Sequence, residues 1–201
     1  MLERYNRTGI RLGLCVALAS LLLAAPQSSY ADSNSPPRAS AQFINANGQY
    51  IGMAMLEETA SGVIIRIEAQ GLTSGDHAIH LHEKGSCSPV LGVGMERSTT
   101  VTPFKDAGPH VNNDATLHGK LNPGGPHTGD FDNVHVAADG TLHAQLFSDD
   151  MTLRSSGGES IAHILDRDGT AIVIHEGPDD YRTPPAGASG SPVACAVIKG
   201  S

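Results

Sequence analysis

The feature that most constrains the fold is a series of short segments in which apolar and polar residues alternate. Alternation with a period of two is typical of β-strands that bury one face. The turn signals Asn47-Gly48 and Asp139-Gly140 lie between consecutive segments, and no stretch shows an amphipathic helical period. The sequence therefore predicts an all-β domain with eight strands at 42–45, 49–56, 62–69, 77–83, 133–137, 141–147, 170–175 and 192–198.

Two long segments between these strands, 84–132 and 176–191, lack alternation and are rich in Gly and Pro. Loops of this length are usually functional or disordered. We expect two functional loops that are ordered by something other than a sheet, such as a metal or a disulfide. Periodicity alone does not decide whether the eight strands form a sandwich or a closed barrel.

Residues 1–31 have the pattern of a secretory signal peptide. Three arginines precede the apolar run 12–25, and the small residues Ser29 and Ala31 occupy the −3 and −1 positions of a cleavage site. The apolar run is too short to span a bilayer comfortably, so we expect removal and export, without stable membrane insertion. An uncleaved N-terminal anchor is the alternative.

Residues 32–38 are polar and include Pro36-Pro37, which predicts a disordered linker before a single domain at 39–201. Loss of the leader, with Glu3 and its three arginines, changes the net charge from −8 to −10. A charge of this sign argues against nucleic acid as a partner. Cys87 and Cys195 are the cysteines left in the mature chain, and an oxidising compartment favours a disulfide between them.

Histidines are concentrated in three places. In the strand at 77–83, His80 and His82 share the face opposite Ile79 and Leu81, which is a common but weak metal-ligand spacing. His175 ends the strand at 170–175. Together with one loop histidine, these three would form an all-imidazole set suited to Cu(II).

The loop segment 108–130 contains a complete set of ligands for a closed, structural zinc site, namely three imidazoles and one carboxylate. Such a set would order a loop that has few apolar residues of its own. Its members are His110, His118, His127 and Asp130.

These motifs, in this order, resemble those of the copper/zinc superoxide dismutases over about residues 39–201. The matching segments are H-A-I-H-L-H-E, G-P-H-V-N, L-H-G, P-H-T-G-D, V-I-H-E-G-P-D-D and G-S-P-V-A-C-A-V-I. The resemblance implies an antiparallel Greek-key β-barrel or sandwich. It also implies an exported enzyme of bacterial type, a monomer or homodimer, that converts superoxide into O₂ and hydrogen peroxide with copper and zinc as cofactors.

The resemblance further implies which residues form the site. Copper would be bound by His80, His82, His110 and His175, and zinc by His110, His118, His127 and Asp130. His110 would bridge the two metals and carry a proton to the nascent peroxide. Asp179 would hydrogen-bond one copper-ligand and one zinc-ligand histidine and so fix their orientation.

Other residues receive secondary assignments from the resemblance. Cys87 and Cys195 match the family's intrasubunit disulfide, and His77 matches a structural histidine. His135, His143 and His163 match no ligand, and we interpret them as surface or structural residues.

One position departs from the family pattern. In G-S-P-V-A-C, Pro192 stands where the family has an arginine beside copper that attracts the anionic substrate. We therefore expect a slow enzyme, for which Arg182 could compensate in part. The departure also motivates an alternative, a copper/zinc-binding protein with little turnover that serves in metal storage or delivery.

Overall fold

The computed structural model describes residues 36–88, 102–155 and 161–201. Within these ranges the chain forms eleven β-strands and one 3₁₀ turn, at Lys105–Ala107. The strands are β1 Arg38–Asn45, β2 Tyr50–Glu58, β3 Val63–Ala69, β4 Gly75–His77, β5 Ile79–His82, β6 Val134–Val136, β7 Leu142–Ser148, β8 Met151–Thr152, β9 Ala162–His163, β10 Ala171–His175 and β11 Pro192–Gly200.

Nine of the strands form one antiparallel sheet in the order β4-β6-β7-β3-β2-β1-β11-β10-β5. Strands β4 and β5 lie at opposite ends of this order, yet Ala78 alone separates them in the chain. The sheet therefore curves into a nearly closed barrel. The connections from β3 to β4 and from β5 to β6 join strands that are not neighbours, as in a Greek key. The predicted all-β Greek-key barrel is confirmed.

Alternate side chains fill the barrel because successive residues of a strand point to opposite faces. In β3, Val63, Ile65 and Ile67 are buried, whereas Arg66 and Glu68 are exposed. The interior is mainly aliphatic and is continuous between the two ends of the sheet. Burial of these side chains stabilises the barrel, and Val111 and Phe131 of the first long loop pack into the same core.

The predicted strand at 77–83 is divided in the structure between β4 and β5. Ala78 marks the break, because its N–H donates to the carbonyl of Gly177 at 2.8 Å and its own carbonyl accepts from the N–H of His175 at 3.0 Å. The backbone thus changes partners, from β6 on one side to the β10 region on the other. Local alternation gives no sign of such a change.

Strands β8 and β9 form a separate parallel pair that the sequence did not predict. Each has two residues, which is too short to show a period. The pair is anchored by the buried carboxylate of Glu58, which accepts from Thr152 Oγ1 at 2.9 Å and from the Leu153 N–H at 2.6 Å. A contact across about ninety residues of sequence therefore determines this structure.

The barrel begins slightly before the predicted domain boundary. Arg38 already lies in β1, and the carbonyl of Pro37 accepts from the Glu58 N–H at 2.9 Å. The predicted signal peptide at 1–31 and residues 32–35 of the predicted linker lie outside the described residues. In the described ranges, no helix has the length and apolar character needed to cross a bilayer.

The predicted disulfide is present, with the Cα atoms of Cys87 and Cys195 5.7 Å apart. It joins the start of the first long loop to the middle of β11, across 108 residues of sequence. The carboxylate of Asp106 supports the turn around Cys87, because it accepts hydrogen bonds from both Ser86 and Ser88. The start of the loop is thus fixed against the barrel.

Candidate metal centre

Strand β5 provides the base of the site. Ile79 and Leu81 face the barrel core, and His80 and His82 face outward, as alternation predicts. All four side chains are nevertheless buried, because the two long loops cover the outer face. The imidazoles are therefore removed from water although they do not belong to the apolar core.

The first long loop is attached to β5 through the backbone. The N–H of Leu81 donates to the carbonyl of Gly129 at 2.9 Å, and the carbonyl of Leu81 accepts from the N–H of Val111 at 2.8 Å. Gly129 also donates to Val111, at 2.9 Å. A Cβ atom on Gly129 would overlap the Leu81 carbonyl, so this close approach requires glycine. The attachment brings His110 opposite His82 and Asp130 opposite His80.

The four loop residues of the predicted zinc set converge on one another. The Nδ1 atoms of His110 and His127 lie 2.7 and 3.3 Å from Asp130 Oδ1, and His118 Nδ1 lies 3.1 Å from Asp130 Oδ2. Asp130 also accepts from the N–H groups of Gly119, at 2.8 Å, and His127, at 3.0 Å. The donor atoms of this His₃Asp group are mutually close enough to surround one ion.

The four residues of the predicted copper set also form one group. Strand β10 pairs with β5 and ends at His175, whose ring centroid is 5.0 Å from that of His80. The ring of His110 lies 4.0 Å from His80 and 5.0 Å from His82. One nitrogen from each of the four imidazoles lies within 4.8 Å of the others. His110 belongs to both groups, so its ring lies between them.

Asp179, from the second long loop, links the two groups without joining either. Its Oδ2 accepts from His80 Nε2 at 2.9 Å, and its Oδ1 accepts from His118 Nε2 at 3.1 Å. These three residues could themselves be counted as a metal-binding group. The hydrogen bonds argue against that interpretation, because they already use the nitrogens that would face such an ion. Asp179 therefore joins one histidine of each group by hydrogen bonds.

The second long loop is shaped to hold this carboxylate. The N–H of Tyr181 donates to Asp179 Oδ1 at 2.6 Å, and the side chain of Asn133 binds the Asp179 backbone on both sides. Gly187 has φ of +67° and packs against the carboxylate, where a Cβ atom would overlap Asp179 Oδ1. The loop therefore depends on glycine at this position.

Four ring nitrogens that point into the two groups lack a hydrogen bond of good geometry, whereas the Nδ1 atoms of His110 and His127 face Asp130 Oδ1. The four are His80 Nδ1, His82 Nε2, His175 Nε2 and His118 Nδ1. In each ring the other nitrogen is bound, to Asp179 or to the carbonyls of Gly108 and Gly190. Buried polar atoms are rarely left unpaired, and a bound carbonyl or carboxylate on the far nitrogen is the usual support of a metal-ligating histidine. The residues therefore fit metal ions.

The surroundings favour the neutral imidazoles that metals require. Burial lowers the pKa of His80 and His175 to about 4, and that of His82 to about 3. Burial raises the pKa of Asp179, but hydrogen bonds from His80, the Tyr181 N–H and His118 outweigh it and lower the pKa to about 2. At neutral pH, His80, His82 and His175 thus present imidazole lone pairs, and Asp179 is a carboxylate.

The remaining histidines lie apart from the two groups. His77 is buried, and its ring bridges the carbonyls of His175, at 2.7 Å, and Thr73, at 2.8 Å. His135 bonds Asp76, His163 bonds the carbonyl of Arg154, and His143 is exposed on β7. Sequence reasoning missed the carbonyls of Gly108 and Gly190 and the amide of Asn133, which orient the site, because backbone acceptors leave no residue-type signal.

The family model for copper/zinc superoxide dismutase (SODC) matches residues 50–198. The copper-zinc superoxide dismutase of Caulobacter vibrioides is 42% identical over 76% of this chain and 80% of its own length. One from Aquifex aeolicus is 37% identical over 92% of this chain and 96% of its own.

The chain belongs to the copper/zinc superoxide dismutase family. The crystal structure of a double mutant of a SOD-like protein from Bacillus subtilis has a TM-score of 0.69 and 35% identity, covering 79% of this chain and 95% of that one. Copper and zinc are the metals of this superoxide dismutase family, and the two groups differ in the donor atoms that they offer. Three imidazoles and a carboxylate are donors typical of structural zinc sites, and four imidazoles are donors that suit Cu(II).

Replacing Asp179 with Asn should weaken metal binding although Asp179 bonds no ion. An amide presents its nitrogen to one of the two histidine N–H groups, so one hydrogen bond is lost. We expect metal affinity to fall by about 10- to 100-fold, measured by competition with chelators. Asp180→Asn is the matched control, because Asp180 is exposed and caps its own loop through Arg182 and Thr183. Equal affinities for the two variants would contradict the role of Asp179.

The metal-free protein should lose stability as the pH falls from about 6.5 towards 4. The folded-state pKa values of His80, His82 and His175 lie below the ordinary value of 6.5, so the unfolded chain binds more protons in this window. Each histidine then costs up to about 1.4 kcal/mol of unfolding free energy per pH unit. Urea unfolding at several pH values measures the slope. His82→Gln should reduce it and exposed His143→Gln should not; a flat profile in wild type would refute the expectation.

Proposed function

We propose that this chain dismutates superoxide, with copper held by His80, His82, His110 and His175 and zinc held by His110, His118, His127 and Asp130. The observation that carries the proposal is the set of buried, unpartnered ring nitrogens that point into the two groups. Storage or delivery of metal without turnover is not favoured, because the Caulobacter and Aquifex relatives are superoxide dismutases and a storage protein has no use for a histidine shared between two groups.

The residues divide the work of the reaction. Copper, when bound, supplies the one-electron chemistry by which two superoxide anions and two protons become O₂ and hydrogen peroxide. The Nδ1 atom of His110 faces the zinc set, which leaves Nε2 for the copper set. His110 can therefore hold a proton at Nε2 and release it to the reduced product while Nδ1 keeps the ring in place. Asp179 maintains the relative orientation of the two groups.

We also propose that the protein is exported and acts in an oxidising compartment. Residues 1–31 would direct export and be removed, and the residues that follow, up to β1, would connect the cleavage site to the barrel. The Cys87–Cys195 disulfide supports an oxidising compartment. The mature protein would act there as a monomer or homodimer.

The direct test is elemental analysis combined with a superoxide assay on the mature chain. We expect one copper and one zinc per chain, with zinc retained when copper is removed, because the zinc ligands all come from one loop. His118→Ala should remove zinc selectively, whereas exposed His135→Ala should leave metal content and turnover unchanged. At most one metal per chain under saturating supply, or no turnover with both metals bound, would overturn the proposal.

Pro192 is proposed to make this a slow enzyme. Residue 192 pairs with His175 across β10 and β11, so an arginine there could reach the cavity beside the four-imidazole group. A cation about 4 Å from an incoming anion attracts it with an energy of about 1 to 4 kcal/mol, depending on the effective dielectric.

Pro192→Arg should therefore raise kcat/KM on the order of tenfold. In wild type the net charge repels superoxide, and we expect a rate that is flat or rises with ionic strength. Pro192→Arg should restore a rate that falls with salt, and Arg182→Ser tests whether Arg182 compensates. A wild-type rate near the diffusion limit that falls steeply with salt, unchanged by Pro192→Arg, would refute this explanation.

A further inference from the structure

A cavity of about 370 Å³ opens onto the four-imidazole group. His82, His110 and His175 line it together with Pro109, Ala115, Pro185 and Ala186. Glu83 is the charged side chain in this lining, and neither Lys nor Arg belongs to it. The cavity thus has apolar walls and one carboxylate, an unfavourable environment for an anion approaching a chain of negative net charge.

Lys84 lies immediately outside this lining. The Cγ, Cδ and Cε atoms of Lys84 lie 3.6, 3.6 and 3.8 Å from the position that a Cβ on Gly108 would occupy. Gly108 lines the cavity, and its carbonyl accepts from His82 Nδ1 at 2.7 Å. The Lys84 N–H donates to the Ala107 carbonyl at 3.0 Å, which fixes the base of the side chain. The stem of Lys84 therefore runs over the residue that orients His82.

The ammonium group of Lys84 is available to an anion. Lys84 is exposed, and among the residues that the structure describes no carboxylate lies within ion-pair distance of it. Lys120, by contrast, is paired with Asp132 at 2.8 Å. Lys199 lines a separate cavity with Ser40 and Gln42 on the barrel surface.

We propose that Lys84 attracts anions into the cavity above the four-imidazole group and so steers superoxide to it. The inference rests on the proposed function for its substrate, but the attraction itself would act on any small anion. A unit charge at the rim of a solvent-filled cavity changes the local concentration of a monovalent anion by about threefold, with the effect decreasing as salt increases. Glu83 opposes the attraction, so neutralising Lys84 leaves only a repulsive charge.

Azide, a small anion, and imidazole, a neutral molecule, provide a test that does not depend on turnover. Each would be titrated into the copper- and zinc-loaded protein at low salt, with binding followed by the visible and electron paramagnetic resonance spectra of copper. Lys84→Gln should weaken azide binding by about threefold and leave imidazole binding unchanged. Lys84→Arg should bind azide as wild type does. Lys199→Gln, which changes the net charge equally, should have no effect.

The kinetic arm measures kcat/KM for superoxide in the same variants across ionic strength. Lys84→Gln should be about threefold slower than Lys199→Gln at low salt, and the difference should shrink at high salt. Equal azide affinities for Lys84→Gln and Lys199→Gln would overturn the role of Lys84, whatever the turnover. Loss of azide affinity in Lys84→Gln together with no superoxide turnover in wild type would support Lys84 and reject the proposed function.

Discussion

The constraint on which the rest of the structure depends is the burial of two imidazoles on the outer face of β5. His80 and His82 are buried, as are Ile79 and Leu81 on the opposite face, yet each histidine has a ring nitrogen with no hydrogen-bond partner. An unpaired buried polar atom costs about 1 to 3 kcal/mol, and the cost disappears when a metal takes the lone pair. Metal binding therefore removes a cost of burying these rings beneath the two long loops. This links the order of the loops to metal occupancy.

Asp179 explains how two loops without an apolar core of their own can behave as one unit. Its carboxylate connects His80 of the barrel to His118 of the first loop, and Asn133 and Tyr181 hold the second loop around it. The low pKa of Asp179 arises from the hydrogen bonds that its carboxylate accepts from His80, the Tyr181 N–H and His118. The residue that orients the two histidines is thus not itself a member of either metal group. Metal sites commonly use such groups to orient their ligands.

The parts of the molecule that could be predicted from the sequence are those encoded by local pattern. Alternation located the main strands and the opposite faces of Ile79 and His80, and the density of ligand-type residues in one loop indicated a metal group. The parts that escaped depend on partners distant in sequence. The break at Ala78 comes from hydrogen bonds to Gly177 and His175, and the β8–β9 pair depends on Glu58. The backbone carbonyl groups that orient histidines, such as that of Gly108, occur in every residue. The sequence therefore does not indicate which of them will do so.

The register of β5 joins stability to chemistry. Leu81 packs in the core, and His82, the next residue, belongs to the four-imidazole group. The stem of Lys84, two residues further on, packs beside Gly108, which lines the cavity. Because side chains alternate, a slip of one residue would place imidazoles in the barrel core and aliphatic side chains in the metal groups. Such a slip would lose both apolar burial and metal ligation. Core packing and ligand placement therefore favour the same hydrogen-bond register between β5 and β10. Lys84 follows the end of β5 by two residues, and its N–H donates to the Ala107 carbonyl at 3.0 Å. The register that places the ligands therefore also determines where the Lys84 side chain begins, whereas the position of Arg182 depends on the second long loop.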